Sequence, residues 1–146
     1  SGSIMMYIAE KAGKFWPQDI RGKYAVNQWV MWQMANQGPK LGECGHFTRL
    51  GDAQGDQSYA LRRFRDEANR LYGVLNNVLH KREWVAGDEY TIADIAIWPW
   101  VRNLVERYKA GDLVGYGEFT EVQRVVAAFV ARPAVAKGLT IPPAPN

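Results

Sequence analysis

Cys44 and His46 flank a single glycine. That spacing invites two chemistries, a thiol nucleophile activated by an imidazole or a metal site. Metal binding runs short of donors, since Cys44, His46 and His80 are the only soft ligands in the chain, one short of a usual structural zinc site. A catalytic pair needs a third group to orient the imidazole, and nothing in the sequence identifies one. No metal is therefore expected. The densest run of cations is Arg62, Arg63, Arg65 and Arg70, which Asp66 and Glu67 interrupt. Such a run reads as a solvated helix face rather than a nucleic-acid track, and periodicity does not single out Arg63. Asp94 closes the tetrad Thr91-Ile92-Ala93-Asp94, which has the form of a capping box with a short acid in the place of Glu or Gln. Its carboxylate is expected to serve folding rather than catalysis.

Helices must position these groups, because the apolar spacing is helical and no convincing strand pair or internal repeat is present. Ile4, Tyr7 and Ile8, followed by Gly13, read as a short amphipathic helix with a glycine stop, capped by Ser1 or Ser3. Lys14-Phe15-Trp16-Pro17-Gln18-Asp19 carries the proline and the changed spacing of a connection. Tyr24, Val26, Trp29, Val30, Trp32 and Met34 predict one long helix over 20–37, closed by Gly38-Pro39. Residues 38–56 hold four glycines after Pro39 and few apolar side chains, which predicts a long loop of the kind that is often functional.

The clearest periodicity runs over 58–81, where Leu61, Phe64, Ala68, Leu71, Leu75 and Val78 step by three and four. A Gly87-Asp88 turn leads into the capping box, with Tyr90 and Ile95 at the staple positions. The helix it starts, Ile95-Ala96-Ile97-Trp98-Pro99-Trp100-Val101, is apolar nearly all round and should be the central buried one, bent or divided at Pro99. Gly111, Gly115 and Gly117 mark a break before a last amphipathic helix over 118–131, with Val122, Val125, Val126 and Phe129 inward. Pro133 restarts a short turn, and Ile141-Pro142-Pro143-Ala144-Pro145 predicts a tail without helix. The expected fold class is all-α, a bundle of about five to six helices.

Composition sets the outer limits. With 47% hydrophobic and 23% charged residues over 146 positions, the chain can bury a core and stay soluble. A net charge of +3 is too small to argue for nucleic acid. The lone cysteine forbids an internal disulfide and fits a reducing compartment. No apolar stretch approaches the roughly 18 residues of a membrane span. The start, Ser1-Gly2-Ser3-Ile4, has neither a basic leader nor an initiator Met, so the chain is expected to be a piece of something longer.

Three passages resemble one family. Val85-Ala86-Gly87-Asp88-Glu89-Tyr90-Thr91-Ile92-Ala93-Asp94-Ile95-Ala96 looks like the start of the buried helix in the C-terminal domain of glutathione transferases. The opening from Ser1 to Lys11 is similar to the last helix of their thioredoxin-like N-terminal domain, and Ala131-Arg132-Pro133-Ala134-Val135-Ala136-Lys137-Gly138 matches their closing turn. Within the family, Phe15-Trp16-Pro17-Gln18-Asp19, Trp29-Val30-Met31-Trp32-Gln33-Met34, Gly45-His46-Phe47 and Tyr59-Ala60-Leu61-Arg62-Arg63-Phe64 resemble the bacterial nu class, glutathione-dependent disulfide-bond reductases. The resemblance implies residues 1–13 as the last helix of a truncated thioredoxin-like domain, 14–20 as a linker and 21–146 as the helical domain. It also implies glutathione as cosubstrate, a disulfide or electrophilic small molecule as second substrate, a cytoplasmic homodimeric parent, and no membrane or nucleic-acid partner. A stand-alone, non-catalytic helical interaction module is the alternative.

The same resemblance points to three glutathione-binding residues. Ser1 matches a serine that contacts the γ-glutamyl group from near a helix N-terminus, although a plain helix cap would also account for it. Arg63 matches an arginine that reaches glutathione from the long helix, and a guanidinium offers a fork of donors at constant charge. Gln33 matches a family glutamine, with Met34 or Ala35 as alternatives for its place. Trp32 and Phe47 are read as core aromatics that could instead wall the cavity for the second thiol. In that class the chemistry belongs to the bound glutathione thiols, so no catalytic residue of this chain is expected.

Overall fold

Thr91 and Asp94 form the predicted capping box: Thr91 Oγ1 accepts from the Ala93 N–H at 3.3 Å, and Asp94 Oδ2 accepts from the Thr91 N–H at 3.0 Å. The helix they start carries Ile97, Trp98 and Val101 fully buried in the hydrophobic core. The computed structural model describes residues 1–50 and 55–142. Part of the predicted loop, 51–54, and the end of the proline-rich tail, 143–146, lie outside the described residues. Among the described residues the helices are α1 (Gly2–Ala12), α2 (Ile20–Trp32), α3 (Gly38–Leu50), α4 (Ser58–Leu79), α5 (Ile92–Arg102), α6 (Thr120–Ala131) and α7 (Pro133–Gly138). A π turn, Gln33–Gln37, joins α2 and α3 into one continuous body, and a second, Asn103–Arg107, extends α5. The all-α expectation is borne out, and no strand is present among the described residues.

Local signals placed most boundaries. Gly13 ends α1 in the left-handed conformation at φ 62°, where a glycine carries no Cβ penalty. Asp19 caps α2 by accepting from the Gly22 N–H at 2.8 Å, and Pro133 takes the first turn of α7. One cap is supplied from a distance: Asn76 of α4 accepts from the Glu121 N–H at 3.0 Å at the start of α6. Pro99 does not end α5, which continues to Arg102.

The passage read as a loop is in fact helix α3, through Leu50. Gly38 and Pro39 do not close the long helix, because Gly38 keeps a right-handed helical backbone at φ −54° and ψ −57°. Ahead of Pro39 the π turn widens the ladder, so that the Gly38 N–H reaches the Gln33 carbonyl five residues back. Leu41 and Cys44 bury one side of α3 completely. On the other, Gly38, Gly42 and Gly45 meet aromatic rings: a Cβ on Gly42 would stand 3.7 Å from Trp100 Cζ3, and one on Gly45 only 2.0 Å from Tyr108 Cδ2. Close packing against rings outweighs the roughly 1 kcal/mol that each glycine costs a helix.

Candidate functional site

Gln33 sits where α2 widens into the π turn, its side chain only 2% exposed. Its Oε1 has no hydrogen-bond partner among the described residues. A buried amide oxygen left unpaired costs about 1–3 kcal/mol, which a ligand donor would recover. Gly38 keeps the space for that amide, since a Cβ there would lie 2.7 Å from Gln33 Nε2. Ser1 precedes α1, yet its hydroxyl makes no capping bond and lies 3.6 Å from Met34 Sδ. Ser1 thus holds the N-cap position of α1 through its backbone carbonyl, which accepts from the Met5 N–H at 3.0 Å, and its side chain takes no part in the cap. Ser1, Gln33, Met34, Gly42 and Trp100 line one groove of about 430 Å³, while Ala35 is exposed.

Arg63 lines a different groove, of about 580 Å³ between α3 and α4, with Lys40, Tyr59, Arg62 and Phe64. Ion pairing separates the four arginines where periodicity could not. Arg65 pairs with Asp66 and Arg70 with Glu67, each at 2.8 Å, and the Arg62 guanidinium sits 5.9 Å over the Tyr59 ring. Arg63 has no ion-pair or ring partner among the described residues, and Lys40 rests 5.5 Å over Phe64. The hydrogen bond from Arg70 holds the Glu67 carboxyl below its ordinary range, with Lys40 and Arg63 adding to it. Gln33 and Ser1 thus share a groove, and Arg63 lies across the first turn of α3 from them.

The other candidates fall away on geometry. Cys44 is fully buried, and burial pushes its thiol up against the smaller effect of the Thr48 hydrogen bond, whereas His46 is exposed. No group of three metal-ligating side chains occurs among the described residues. Trp32 meets Trp29 edge-on at 5.3 Å, and Phe47 stacks on Phe64 at 5.5 Å, so both act in packing. Burial is the main influence on Asp94 and raises its carboxyl above the usual range, against hydrogen bonds from Thr91, Trp98 and Val85. Sequence reasoning missed the part played by Gly38, Gly42 and Trp100. The signal was present as glycines four apart, which place a bare helix face opposite a ring.

Comparison with known proteins gives this geometry a family. Residues 39–133, more than half of the chain, match the glutathione S-transferase C-terminal domain. Disulfide-bond oxidoreductase YghU of Escherichia coli (strain K12) is 43% identical over 141 residues, which cover 94% of this chain and 48% of YghU. A glutathione transferase from Burkholderia graminis, solved with two glutathione molecules bound per subunit, superposes with a TM-score of 0.93 at 48% identity, over 99% of this chain and 60% of that one. One from Pseudomonas putida, solved with one glutathione disulfide bound per subunit, gives 0.91 at 49% identity, over 97% of this chain and 61% of that one. The chain spans about half the length of the curated relative it matches. No helix among the described residues is long and apolar enough to cross a membrane. The chain belongs to the glutathione S-transferase family, of which it carries the C-terminal helical domain.

Proposed function

We propose that this chain is the helical part of a glutathione-dependent disulfide-bond reductase, and that Ser1, Gln33 and Arg63 bind glutathione. Residues 1–13 are then the last helix of a thioredoxin-like domain, 14–20 the linker and 21–146 the helical domain, in a cytoplasmic homodimer. The observation that carries the reading is the buried, unpaired Oε1 of Gln33, a residue that lines a groove with Ser1. Glutathione offers N–H donors to that oxygen and carboxylates to cations such as Arg63 and Lys40. The relatives solved with glutathione or glutathione disulfide support the same ligand class.

The chemistry follows from two thiols. One glutathione thiolate attacks a sulfur of the substrate disulfide, forms a new S–S bond and expels a substrate thiolate, which takes up a proton. A second glutathione thiolate attacks the glutathione sulfur of that mixed disulfide, releasing the other substrate thiolate and leaving glutathione disulfide. Two glutathiones are oxidised and one disulfide is reduced. No protein cysteine takes part, in keeping with the burial of Cys44.

Calorimetric titration of glutathione disulfide into the whole protein that contains this chain tests the reading. Gln33→Leu is expected to weaken binding about tenfold, the equivalent of about 1.4 kcal/mol, while thermal stability holds or rises as the buried orphan is removed. Arg63→Gln should weaken binding similarly. Unchanged affinity in both variants would overturn the assignment. The exposed apolar side chains of α1, Ile4 at 63%, Tyr7 at 65% and Ile8 at 56%, favour a second reading as a non-catalytic interaction module, which predicts no glutathione affinity at all.

A further inference from the structure

Two buried amides bracket the first π turn. Gln33 opens it and Gln37 closes it, and each leaves its Oε1 without a hydrogen-bond partner among the described residues. A leucine or methionine would fill either place without stranding a polar atom, so the turn keeps both amides at a cost in stability. Departures of that kind concentrate where a chain serves function rather than folding. Gln33 lines the groove it shares with Ser1, whereas Gln37, fully buried, does not.

What Gln37 holds is α5. Its Nε2 donates to the Ile97 carbonyl at 3.3 Å, and among the described residues no other hydrogen bond joins this π turn to that helix. Trp100 stands three residues beyond Ile97, close to one turn along α5. Its ring walls the groove, and a Cβ on Gly38 would lie 3.5 Å from Trp100 Cε2. Gly38 in turn packs against Gln33. In an unbroken α-helix a residue five positions on points about 140° away, but the bond from the Gly38 N–H to the Gln33 carbonyl brings Gly38 back over the Gln33 amide. Pro39 accounts for the widened ladder, since it has no N–H and its ring crowds the carbonyl four residues back. It does not account for the side-chain bond to α5.

We propose, building on the glutathione reading of Gln33, that Gln37 is a positioning residue: by tying the π turn to the Ile97 carbonyl it keeps the Gln33 amide, Gly38 and the Trp100 ring in register on one groove. Gln37 touches no ligand. It acts on glutathione through Gln33, with the Trp100 wall as the smaller contribution.

Gln37→Met keeps the bulk and removes both the donor and the orphan oxygen, and Gln37→Leu repeats the change with a second apolar shape. Calorimetric titration of glutathione disulfide into the whole protein is expected to show about tenfold weaker binding in these variants, with the thermal midpoint held or raised. A cycle with Gln33→Leu separates positioning from a general loss of structure. In the Gln33→Leu background the change at 37 should weaken binding only about twofold more, since the group it positions is gone. Unchanged affinity in Gln37→Met and Gln37→Leu, an equal loss with and without the Gln33 amide, or loss of the fold in both variants overturns this inference and leaves the glutathione reading standing. Unchanged affinity in Gln33→Leu alone sinks the glutathione reading of Gln33 itself.

Discussion

Asp94→Ala is expected to remove about 4–6 kcal/mol of stability, a large share of the roughly 5–15 kcal/mol a small domain has. Asp94 is fully buried, and its carboxylate accepts from three N–H groups: Val85 at 3.1 Å, Trp98 Nε1 at 2.9 Å and Thr91 at 3.0 Å. Alanine leaves all three donors without a partner in the interior, at about 1–3 kcal/mol each, and removes half of the capping box. Asp94→Asn keeps an acceptor for Val85 and Trp98 but turns an amide N–H₂ toward the Thr91 N–H, so about half of the loss remains. The dependence on pH has a definite sign. Burial raises the folded pKa of Asp94 above its unfolded value of about 3.9, so its ionisation weighs against the native state. The stability this group contributes is complete below that unfolded value and is lost as pH rises through the folded pKa, a component that Asp94→Asn abolishes. Urea melts across acid pH measure both effects, and a loss under about 1.5 kcal/mol for Asp94→Ala would contradict them.

Gly45→Ala is expected to destabilise by about 2 kcal/mol although alanine gains about 1 kcal/mol of helix propensity. The glycine is needed for space rather than conformation: a Cβ would meet Tyr108 Cδ2 at 2.0 Å, Cε2 at 2.2 Å and Cγ at 2.6 Å, the edge of the ring rather than a movable tip. Backbone separation or rotation of Tyr108 must follow. In a cycle with Tyr108→Ala the cost of alanine at 45 should vanish or change sign, because the propensity gain alone remains. Gly117→Ala, with nothing within 4 Å of its Cβ, is the control. Additive effects at 45 and 108 would mean that the ring does not rest on this glycine.

What the sequence made legible was what is local. Thr91, Gly13, Pro133 and the capping-box half of Asp94 act within a turn of themselves, so their types and spacing define that structure without knowledge of the rest of the chain, whereas the bond from Val85 to Asp94 spans nine residues. Helix α3 was illegible because its glycines are stabilised by Trp100 and Tyr108, far away in the chain, and read locally as breakers. The site divides the same way. Gln33 and Met34 are one residue apart, about 100° around a helix, and the π turn shifts the phase further, so spacing alone could not say which faces inward. Among the arginines of α4, the ion pairs of Arg65 and Arg70 and the Tyr59 ring beneath Arg62 leave Arg63 apart, and these contacts depend on rotamers that no motif encodes.

The most direct test is a nuclear magnetic resonance titration of the whole protein with glutathione disulfide, following assigned side-chain resonances. The Gln33 carboxamide and the Arg63 Nε–H should shift together and saturate on one binding curve, joined by the backbone amides of Gly38 and Gly42. Saturation that leaves the Gln33 and Arg63 signals in place, with changes confined to residues such as Tyr90 and Phe129 on another cavity, would contradict the account.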